Sequence, residues 1–295
     1  MSSPGADRAA ATVAVTETSP AGAVDEHDPS RSARRRALTI AAVPAVVVAV
    51  VVGVVVALAA SVVVGVVAGA VAGLAWWIVT LLGGRRVLLR ALGAHEPDEG
   101  TIARAENLVD GLCATMGLVA PEMLVVDDPS CNAMAVGWRP GDAALVVTSG
   151  LLSSLGPVSL EGVLAHELAH IKRGDIAPAT VAAAVLLPLA AVTPAAAVVV
   201  HRWAGIGREF RADAVAVGVT RFPPGLRDAL ATMVEGPVPV APSPLADSAV
   251  ARATRWLWAV ALPSPETVGA DVPEVDLLTG QLDAPVVRIA ALDEC

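Results

Sequence analysis

The sequence has few aromatic residues, few charges and few cysteines. Aromatic residues make up 3% of the 295 residues and charged residues 17%, whereas 55% are hydrophobic. The three cysteines are an odd number in a long chain, which excludes a secreted disulfide framework and favours free thiols in a reducing compartment. A net charge of −9 leaves no basic surface for nucleic acid. The mean hydropathy of +0.66 predicts that part of the chain lies in lipid.

Charge is absent altogether from residues 37–84. This stretch of 48 residues is too long for a signal peptide, whose apolar region has about 7–15 residues, and one membrane span needs about 20. We therefore predict a transmembrane helical hairpin with spans near 39–58 and 63–83. Arginines flank both ends, so the positive-inside tendency places both ends in the cytosol. The polar residues 1–36 are predicted to form a disordered tail.

Helical and β-prone patterns follow the hairpin. Apolar residues at helical spacing predict an amphipathic helix over 99–118. Short β-prone runs separated by turn sequences predict a small antiparallel sheet, with strands at 122–126, 132–138 and 143–148. Ser159 is expected to be the N-cap of the next helix, which Gly174 ends. Two tryptophans, Trp256 and Trp258, are expected to pack in the core rather than to line a groove.

The pentapeptide His166-Glu167-Leu168-Ala169-His170 is an H-E-x-x-H motif. On a helix, the i, i+4 spacing brings both imidazoles onto one face, where they can bind one metal ion. Zinc at a hydrolytic site takes three protein ligands and a water, whose pKa it lowers to about 7. Glu167 lies next to the first ligand and is the candidate that accepts a proton from this water.

The third ligand is expected in a pair of acidic residues further along the chain. A metzincin would have glycine at 173 and histidine at 176, where this chain has Arg173 and Ile176. Glu209 and Asp213 are again four residues apart, so one carboxylate can bind the metal while the other accepts a histidine N–H. Glu209 is the better ligand candidate. The alternative is a solvated face on which both acids pair with neighbouring arginines.

The segment 176–200 is uncharged and contains three prolines. It separates His170 from Glu209, and both must lie on the same side of the membrane to reach one ion. One crossing would put them on opposite sides, and two crossings need about 40 residues. We therefore predict that the segment does not traverse the bilayer but forms a short helical hairpin, broken near Pro188, that dips into it or packs against the membrane helices.

Four segments together resemble the HtpX-like family of integral-membrane zinc metallopeptidases. They are Gly162–Asp175, Arg208–Asp213, Asn132–Gly137 and Val146–Leu152. The resemblance implies a mainly α fold (α+β, zincin-like, of the gluzincin type), with a transmembrane hairpin, then a helical metalloprotease domain over 85–220 with a small antiparallel sheet. An acidic, partly irregular extension over 221–295 completes the domain.

The resemblance also implies roles for individual residues. One Zn²⁺ per chain is held by His166, His170 and Glu209. Glu167 is the general base and acid, and Asp213 supports a histidine ligand.

The same resemblance implies where substrate binds. The strand at 132–137 is similar to the family's edge strand, which makes four residues candidates for pairing with an extended substrate: Asn132, Ala133, Met134 and Ala135. The family commonly carries His-Pro-Pro before Arg-Ile near its C terminus. Here the histidine is missing, and Arg288 is the remaining catalytic candidate. Before Glu209, Gly205 and Ile206 stand where the family often has Ser-Arg.

The expected function is that of a membrane-anchored zinc-dependent endopeptidase that hydrolyses peptide bonds of extended or misfolded proteins, including membrane proteins. Its partners are peptide or protein substrates and the lipid bilayer, with no nucleic acid, and its location is a bacterial-type plasma membrane, crossed more than once, with the catalytic domain in the cytosol. The rival is a non-catalytic zinc-binding scaffold or regulator, which would not need Glu167. A transporter is less favoured because the apolar segments contain no ionisable residue.

Overall fold

The computed structural model describes residues 29–98, 100, 102–190, 208–237, 243, 245, 246, 248–261 and 284–295. The described part of the chain is mainly helical and contains these helices: α1 Pro29–Ala59, α2 Val62–Ala91, α3 Ala103–Met116, α4 Ser149–Ser154, α5 Pro157–Arg173, α6 Ile176–Ala190, α7 Arg208–Thr220, α8 Pro223–Glu235, α9 Ala249–Thr254 and α10 Pro285–Asp293. Three strands form one sheet: β1 Glu122–Val126, β2 Ala133–Val136 and β3 Ala144–Thr148.

Helices α1 and α2 form the apolar hairpin. Both are long and apolar enough to cross a membrane. They turn at Ala60 and Ser61, and the Ser61 hydroxyl accepts a hydrogen bond from the Val64 N–H at 3.4 Å. The first helix begins at Pro29, so the disordered-tail prediction is wrong for residues 29–36, whose arginine-rich sequence extends α1. Residues 1–28 lie outside the described part.

Glycines of α2 allow the two helices to touch along their backbones. A Cβ atom on Gly65 would lie 2.5 Å from the Gly53 carbonyl oxygen, and one on Gly73 would lie 2.7 Å from that of Ala45. Real Cβ atoms do not come this close, so larger residues at these positions must push the helices apart. By contrast, a Cβ atom on Gly83 would have only one neighbour, at 3.9 Å.

Gly73→Ala is therefore expected to destabilise the hairpin by about 1–3 kcal/mol through overpacking. Gly83→Ala, in the same helix, is the matched control and should be neutral or stabilising by up to about 1 kcal/mol, because alanine is the better helix former. Thermal unfolding of the two purified variants in detergent measures the difference. Equal melting temperatures would contradict the close backbone contact at Gly73.

The sheet is mixed, with strand order β1-β3-β2. The β2–β3 pair is antiparallel as predicted, with Met134 opposite Val146, but β1 and β3 are parallel. The prediction of a wholly antiparallel sheet is therefore wrong for the second pair. The turn sequences correctly indicate that the chain reverses after each strand. They do not indicate that β2 pairs with the edge of β3 opposite to β1, so that β3 lies between β1 and β2.

Helix α5 lies at the centre of the domain, packed against β2, α3, α7 and α8. It begins after Gly156 with Pro157 in the first turn, so Ser159 is not its N-cap as predicted. Proline is favoured at this position because its missing N–H would have no helical partner there. Gly174 ends the helix in the left-handed conformation, with φ of 73°, as predicted.

Helix α6 covers the first part of the uncharged segment and packs against both α1 and α2. This contact agrees with one of the two predicted placements. The helix continues through Pro188 to Ala190, however, so the break predicted near Pro188 does not occur there. Residues 191–207, with His201, Gly205 and Ile206, lie outside the described part, and the absence of a membrane crossing stays a prediction.

In its described parts, the region after α7 contains the helices α8, α9 and α10. Helix α8 packs against α5, and α10 packs against α8. Trp256 and Trp258 are buried, as expected for core residues.

Candidate metal centre

Two helices bring three potential metal ligands together. On α5, the Nε2 atoms of His166 and His170 lie 3.2 Å apart. On α7, Glu209 Oε2 lies 3.1 Å from His166 Nε2 and 3.5 Å from His170 Nε2. All three residues are buried, and they form the metal-binding group found among the described residues. The structure thus brings together the three residues that the sequence suggests as ligands.

Two carboxylates fix the orientation of the imidazole rings. His166 Nδ1 lies 2.8 Å from Asp213 Oδ1, and His170 Nδ1 lies 2.9 Å from Asp175 Oδ1. A histidine that donates from Nδ1 to a carboxylate keeps a lone pair on Nε2. With both rings in this tautomer, the two Nε2 lone pairs would face each other and a carboxylate, an arrangement that a metal ion between them would satisfy.

The spacing of these atoms fits zinc. Zinc lies about 2.0–2.2 Å from histidine nitrogen and carboxylate oxygen, and tetrahedral geometry then separates neighbouring ligand atoms by about 3.3–3.5 Å. The observed separations between His166, His170 and Glu209 are 3.1, 3.2 and 3.5 Å. Two imidazoles and one carboxylate are also a known donor set of hydrolytic zinc sites, which keep the fourth position for water.

The charges of the cluster favour a cation. Burial alone lowers the pKa of His170, but the charges of Asp175 and Glu209 outweigh burial and raise this pKa to about 10. Burial raises the pKa of Glu209, and the positive charges of His170 and Arg208 more than reverse this effect, so the pKa ends well below its ordinary value. Glu209 therefore carries a negative charge, and an ionised carboxylate beside two imidazoles attracts positive charge, either a proton on a histidine or a metal ion in its place.

Glu167 lies beside the ligands without a partner of its own. It is 1% exposed, and neither of its carboxylate oxygens accepts a hydrogen bond from a described residue. Burial raises the pKa of Glu167, and the nearby positive charges of the two histidines only partly offset this effect. An unpartnered buried carboxylate is costly, and such groups are concentrated at functional sites.

Arg288 lies behind the ligands, against Asp213. Its Nε and Nη2 atoms donate to the two oxygens of Asp213, each at 2.8 Å, and its Nη1 lies 3.6 Å from Glu209 Oε2. The structure therefore places this sequence candidate at the site. Its contacts hold the carboxylate that orients His166.

Arg208 is a site residue that the sequence interpretation missed. Its Nε donates to Glu209 Oε1 at 2.8 Å, and its Nη2 donates to the Trp256 carbonyl oxygen at 3.0 Å. Arg208, Glu209 and Asp213 are 7%, 8% and 4% exposed, so the alternative of a solvated acidic face is wrong. Because Arg208 holds one oxygen of Glu209, only the other oxygen faces the histidines.

The sequence interpretation also did not identify Asp175 as a site residue, although it directly follows Gly174. Gly174 adopts the left-handed conformation and reverses the chain, so the Asp175 carboxylate lies against His170, five residues earlier. A glycine after the motif signals the helix end. It does not by itself predict which side chain beyond the helix end contacts the helix.

Asp175→Asn is expected to weaken metal binding by roughly 10–100-fold, because the ring of His170 loses the carboxylate that orients it. Asp213→Asn should have a similar effect through His166. Asp110→Asn, at an exposed position of α3, is the control and should leave metal binding unchanged. Competition with a metal-sensitive chelator measures the affinities. An undiminished affinity in Asp175→Asn would mean that this contact does not orient the ligand.

The predicted substrate-binding residues lie on β2 or next to it, and another segment of the same chain contacts the edge of this strand. The Asn132 Nδ2 donates to the Val260 carbonyl oxygen at 2.7 Å, and the Ala133 carbonyl oxygen accepts from the Ala259 N–H at 2.8 Å. Met134 is fully buried and packs in the cluster that includes α6. Ala135 is buried as well, at 5% exposed, in the main core cluster. All four predicted residues are thus buried or hydrogen-bonded within the protein, which differs from the expected open edge.

A mainly helical domain with a small sheet, an H-E-x-x-H helix and a glutamate on a following helix is a zincin-like fold of the gluzincin type. Residues 102–254, just over half of the chain, match the model of Peptidase family M48. The chain belongs to this family.

Curated proteins of the same kind are similar to this chain over about half of its length. A "Protease HtpX homolog" of Dictyoglomus thermophilum is 34% identical over an alignment of 176 residues that covers 49% of this chain and 58% of the relative. Relatives with the same description in Tropheryma whipplei (strain TW08/27) and Streptococcus thermophilus (strain ATCC BAA-250 / LMG 18311) are 33% and 31% identical. The first match covers 51% of this chain and 62% of the relative, the second 52% and 66%. The chain thus spans about three-fifths of the length of these relatives. No solved structure matches it.

Proposed function

We propose that the chain is a membrane-anchored zinc-dependent endopeptidase with its catalytic domain in the cytosol. The observation that carries this proposal is Glu167, a buried carboxylate without a described partner that interacts electrostatically with His166 and His170, the two histidines that face Glu209. A site that only binds metal has no need for this acid. Family membership and the HtpX-like relatives support the same conclusion.

The ion would be held by His166, His170 and Glu209, and when bound it supplies a polarised scissile carbonyl and a more acidic water. Glu167 accepts a proton from the attacking water and later gives it to the leaving amine, so that the C–N bond breaks and two peptides leave. Its raised pKa makes Glu167 a stronger base than an ordinary carboxylate. Asp175 and Asp213 keep the imidazoles oriented during the cycle.

The substrates proposed are extended or misfolded segments of proteins, including membrane proteins. The apolar hairpin supports this proposal because it would hold the catalytic domain at the bilayer surface. Large apolar side chains cover its outer face, including Val46, Val50, Val67 and Val71. Such a surface favours lipid over water.

Hydrolysis of casein by the purified full-length chain in detergent tests the proposed activity. We expect degradation with zinc, none after treatment with a chelator, and none with Glu167→Gln. The rival function, a non-catalytic zinc-binding scaffold, predicts bound zinc in both proteins and degradation in neither. A misfolded membrane protein in the same assay tests the substrate class.

The proposed topology predicts that residues on either side of 176–200 are reachable from one face of the membrane. In a Cys295→Ser background, which removes the exposed native thiol, His201→Cys should be labelled from the same side as Lys172→Cys. Sealed, inverted vesicles and an impermeant thiol reagent provide the measurement. Labelling of the two cysteines from opposite sides would contradict the topology.

A further inference from the structure

Positive charge is concentrated at one end of the apolar hairpin. Four arginines precede the uncharged stretch 37–84 and three follow it: Arg31, Arg34, Arg35, Arg36, Arg85, Arg86 and Arg90. At its other end the hairpin turns at Ala60 and Ser61, which carry no charge. The chain as a whole has a net charge of −9. The basic end of the hairpin is therefore a local feature and not a property of the whole surface.

The packing of α1 against α2 brings the two groups of arginines to nearly the same level. A Cβ atom on Gly73 would lie 2.7 Å from the Ala45 carbonyl oxygen, so these residues are neighbours across the hairpin. Eleven residues separate Ala45 from Arg34, and eleven separate Gly73 from Gly84. Arg34 thus lies near Gly84, and Arg86 and Arg90 follow within about 3 and 9 Å along α2. This depth is similar to that of one headgroup layer, about 5–8 Å.

Five of these arginines are exposed and form no ion pair with a described residue. We call them the basic band: Arg34, Arg35, Arg36, Arg86 and Arg90. Arg85 differs from them, because it pairs with Glu122 at the start of β1 and with Asp142 just before β3, the latter at 3.7 Å. These pairs join the end of α2 to the sheet. The basic band therefore lies beside the junction of the hairpin and the folded domain.

The spacing within the basic band is unfavourable without anions. Arg86 and Arg90 are four residues apart on one face of α2, and both are exposed, whereas Leu88 and Leu89 between them are buried. Like charges at this spacing repel each other and destabilise a helix. An anion between the guanidinium groups removes the repulsion. Phosphate suits this place, because a guanidinium group donates two parallel hydrogen bonds to phosphate oxygens.

We propose that the basic band binds the headgroups of anionic phospholipids. A bilayer around the hairpin places phosphate groups at the level of the band, and clusters of four to eight basic residues next to a membrane helix are typical of anionic-lipid binding. A zwitterionic lipid fits less well, because its choline group carries a positive charge that the arginines repel. The inference goes beyond the proposed endopeptidase function and does not depend on it.

Quenching of tryptophan fluorescence by brominated lipids tests this inference. Trp76 is 39% exposed and lies about 15 Å along α2 from Arg86, so it is close to the acyl chains of a lipid bound at the basic band. The full-length protein is placed in phosphatidylcholine vesicles that contain a brominated phosphatidylglycerol or a brominated phosphatidylcholine. We expect half-maximal quenching at an about fivefold lower fraction of the anionic lipid. At 1 M salt, where the Debye length is about 3 Å, this preference should be much smaller.

Substitutions in the basic band should remove the preference for the anionic lipid. We expect the two brominated lipids to quench almost equally in the quadruple variant Arg34→Gln, Arg35→Gln, Arg86→Gln and Arg90→Gln. The same four positions changed to lysine should keep most of the preference, because lysine keeps the charge. All four side chains are exposed, so the melting temperature in phosphatidylcholine vesicles should change little.

A matched pair of double variants shows whether the position of the charges matters. Arg86→Gln with Arg90→Gln should lower the preference by about twofold, in proportion to two of five arginines. Arg104→Gln with Arg221→Gln removes two exposed arginines outside the band and should leave the preference unchanged. An equal loss in both double variants would mean that only net charge matters and would overturn the basic band as a site.

The remaining outcomes also decide. Equal quenching of the wild-type protein by the two brominated lipids would overturn the inference, while leaving the endopeptidase proposal intact. If neither lipid quenches the fluorescence, the hairpin does not lie in the bilayer, and both the lipid site and the membrane anchor fail. Casein hydrolysis by the same preparation then shows whether the endopeptidase activity exists without them.

Discussion

Glu167→Gln is expected to lower peptide hydrolysis by about 10²–10⁴-fold while the protein keeps its metal. The residue is not one of the three groups that converge on the ion position, so the ligand set is intact in the variant. Glutamine has nearly the same shape as glutamate but cannot accept the proton of the attacking water. The effect should therefore appear in kcat, with little change in KM.

The same variant also relieves a cost of folding. Glu167 is buried and its oxygens have no described partner, so a neutral amide is easier to bury than a carboxylate. We expect Glu167→Gln to be at least as stable as the wild type in thermal unfolding. Measurement of metal content, melting temperature and casein hydrolysis on one preparation tests both statements. Wild-type hydrolysis by the metal-loaded variant would remove Glu167 from the mechanism.

Glu209→Ala is expected to lose bound metal, because two imidazoles alone leave the site without its third ligand. The change also leaves Arg208 as a buried cation without the carboxylate that it contacts at 2.8 Å. Removing one partner of a buried ion pair costs about 3–5 kcal/mol. The variant should therefore have both a low metal content and a lower melting temperature.

Double substitution separates the two effects. Glu209→Ala combined with Arg208→Met removes the unpaired charge, and we expect it to recover much of the stability but none of the metal. Glu235→Ala, at an exposed position of α8, is the surface control. Stoichiometric zinc bound by Glu209→Ala with wild-type affinity would mean that another residue is the third ligand.

The sequence predicts those parts of the site that depend on spacing within one helix. His166 and His170 share a helical face, and so do Glu209 and Asp213, whatever the rest of the fold does. The positions of the apolar hairpin and of the helix end at Gly174 are likewise local properties of composition and turn chemistry.

The parts that could not be predicted depend on contacts between distant segments. Asp175 reaches His170 because Gly174 reverses the chain, and nothing in the pattern marks Asp175 as the residue that returns. β2 pairs with the edge of β3 that β1 leaves free, and the turn sequence does not specify which edge this is. The Val260 carbonyl accepts a hydrogen bond from Asn132, which lies 128 positions earlier in the chain, and no periodicity in the sequence relates the two residues.

Helix α6 gives the two apolar helices a role in folding. It contacts α1 and α2 on one side and β2 on the other, and its residues from Ile176 to Ala183 are buried. Without the two helices, this apolar surface would be open to water. Thr180, whose Oγ1 accepts a hydrogen bond from the Gly137 N–H just after β2, lies on this helix and would then lose its support. The hairpin thus belongs to the same cooperative folding unit as the metal centre, and we expect a fragment that begins after α2 to expose the apolar residues of α6 and to be less stable.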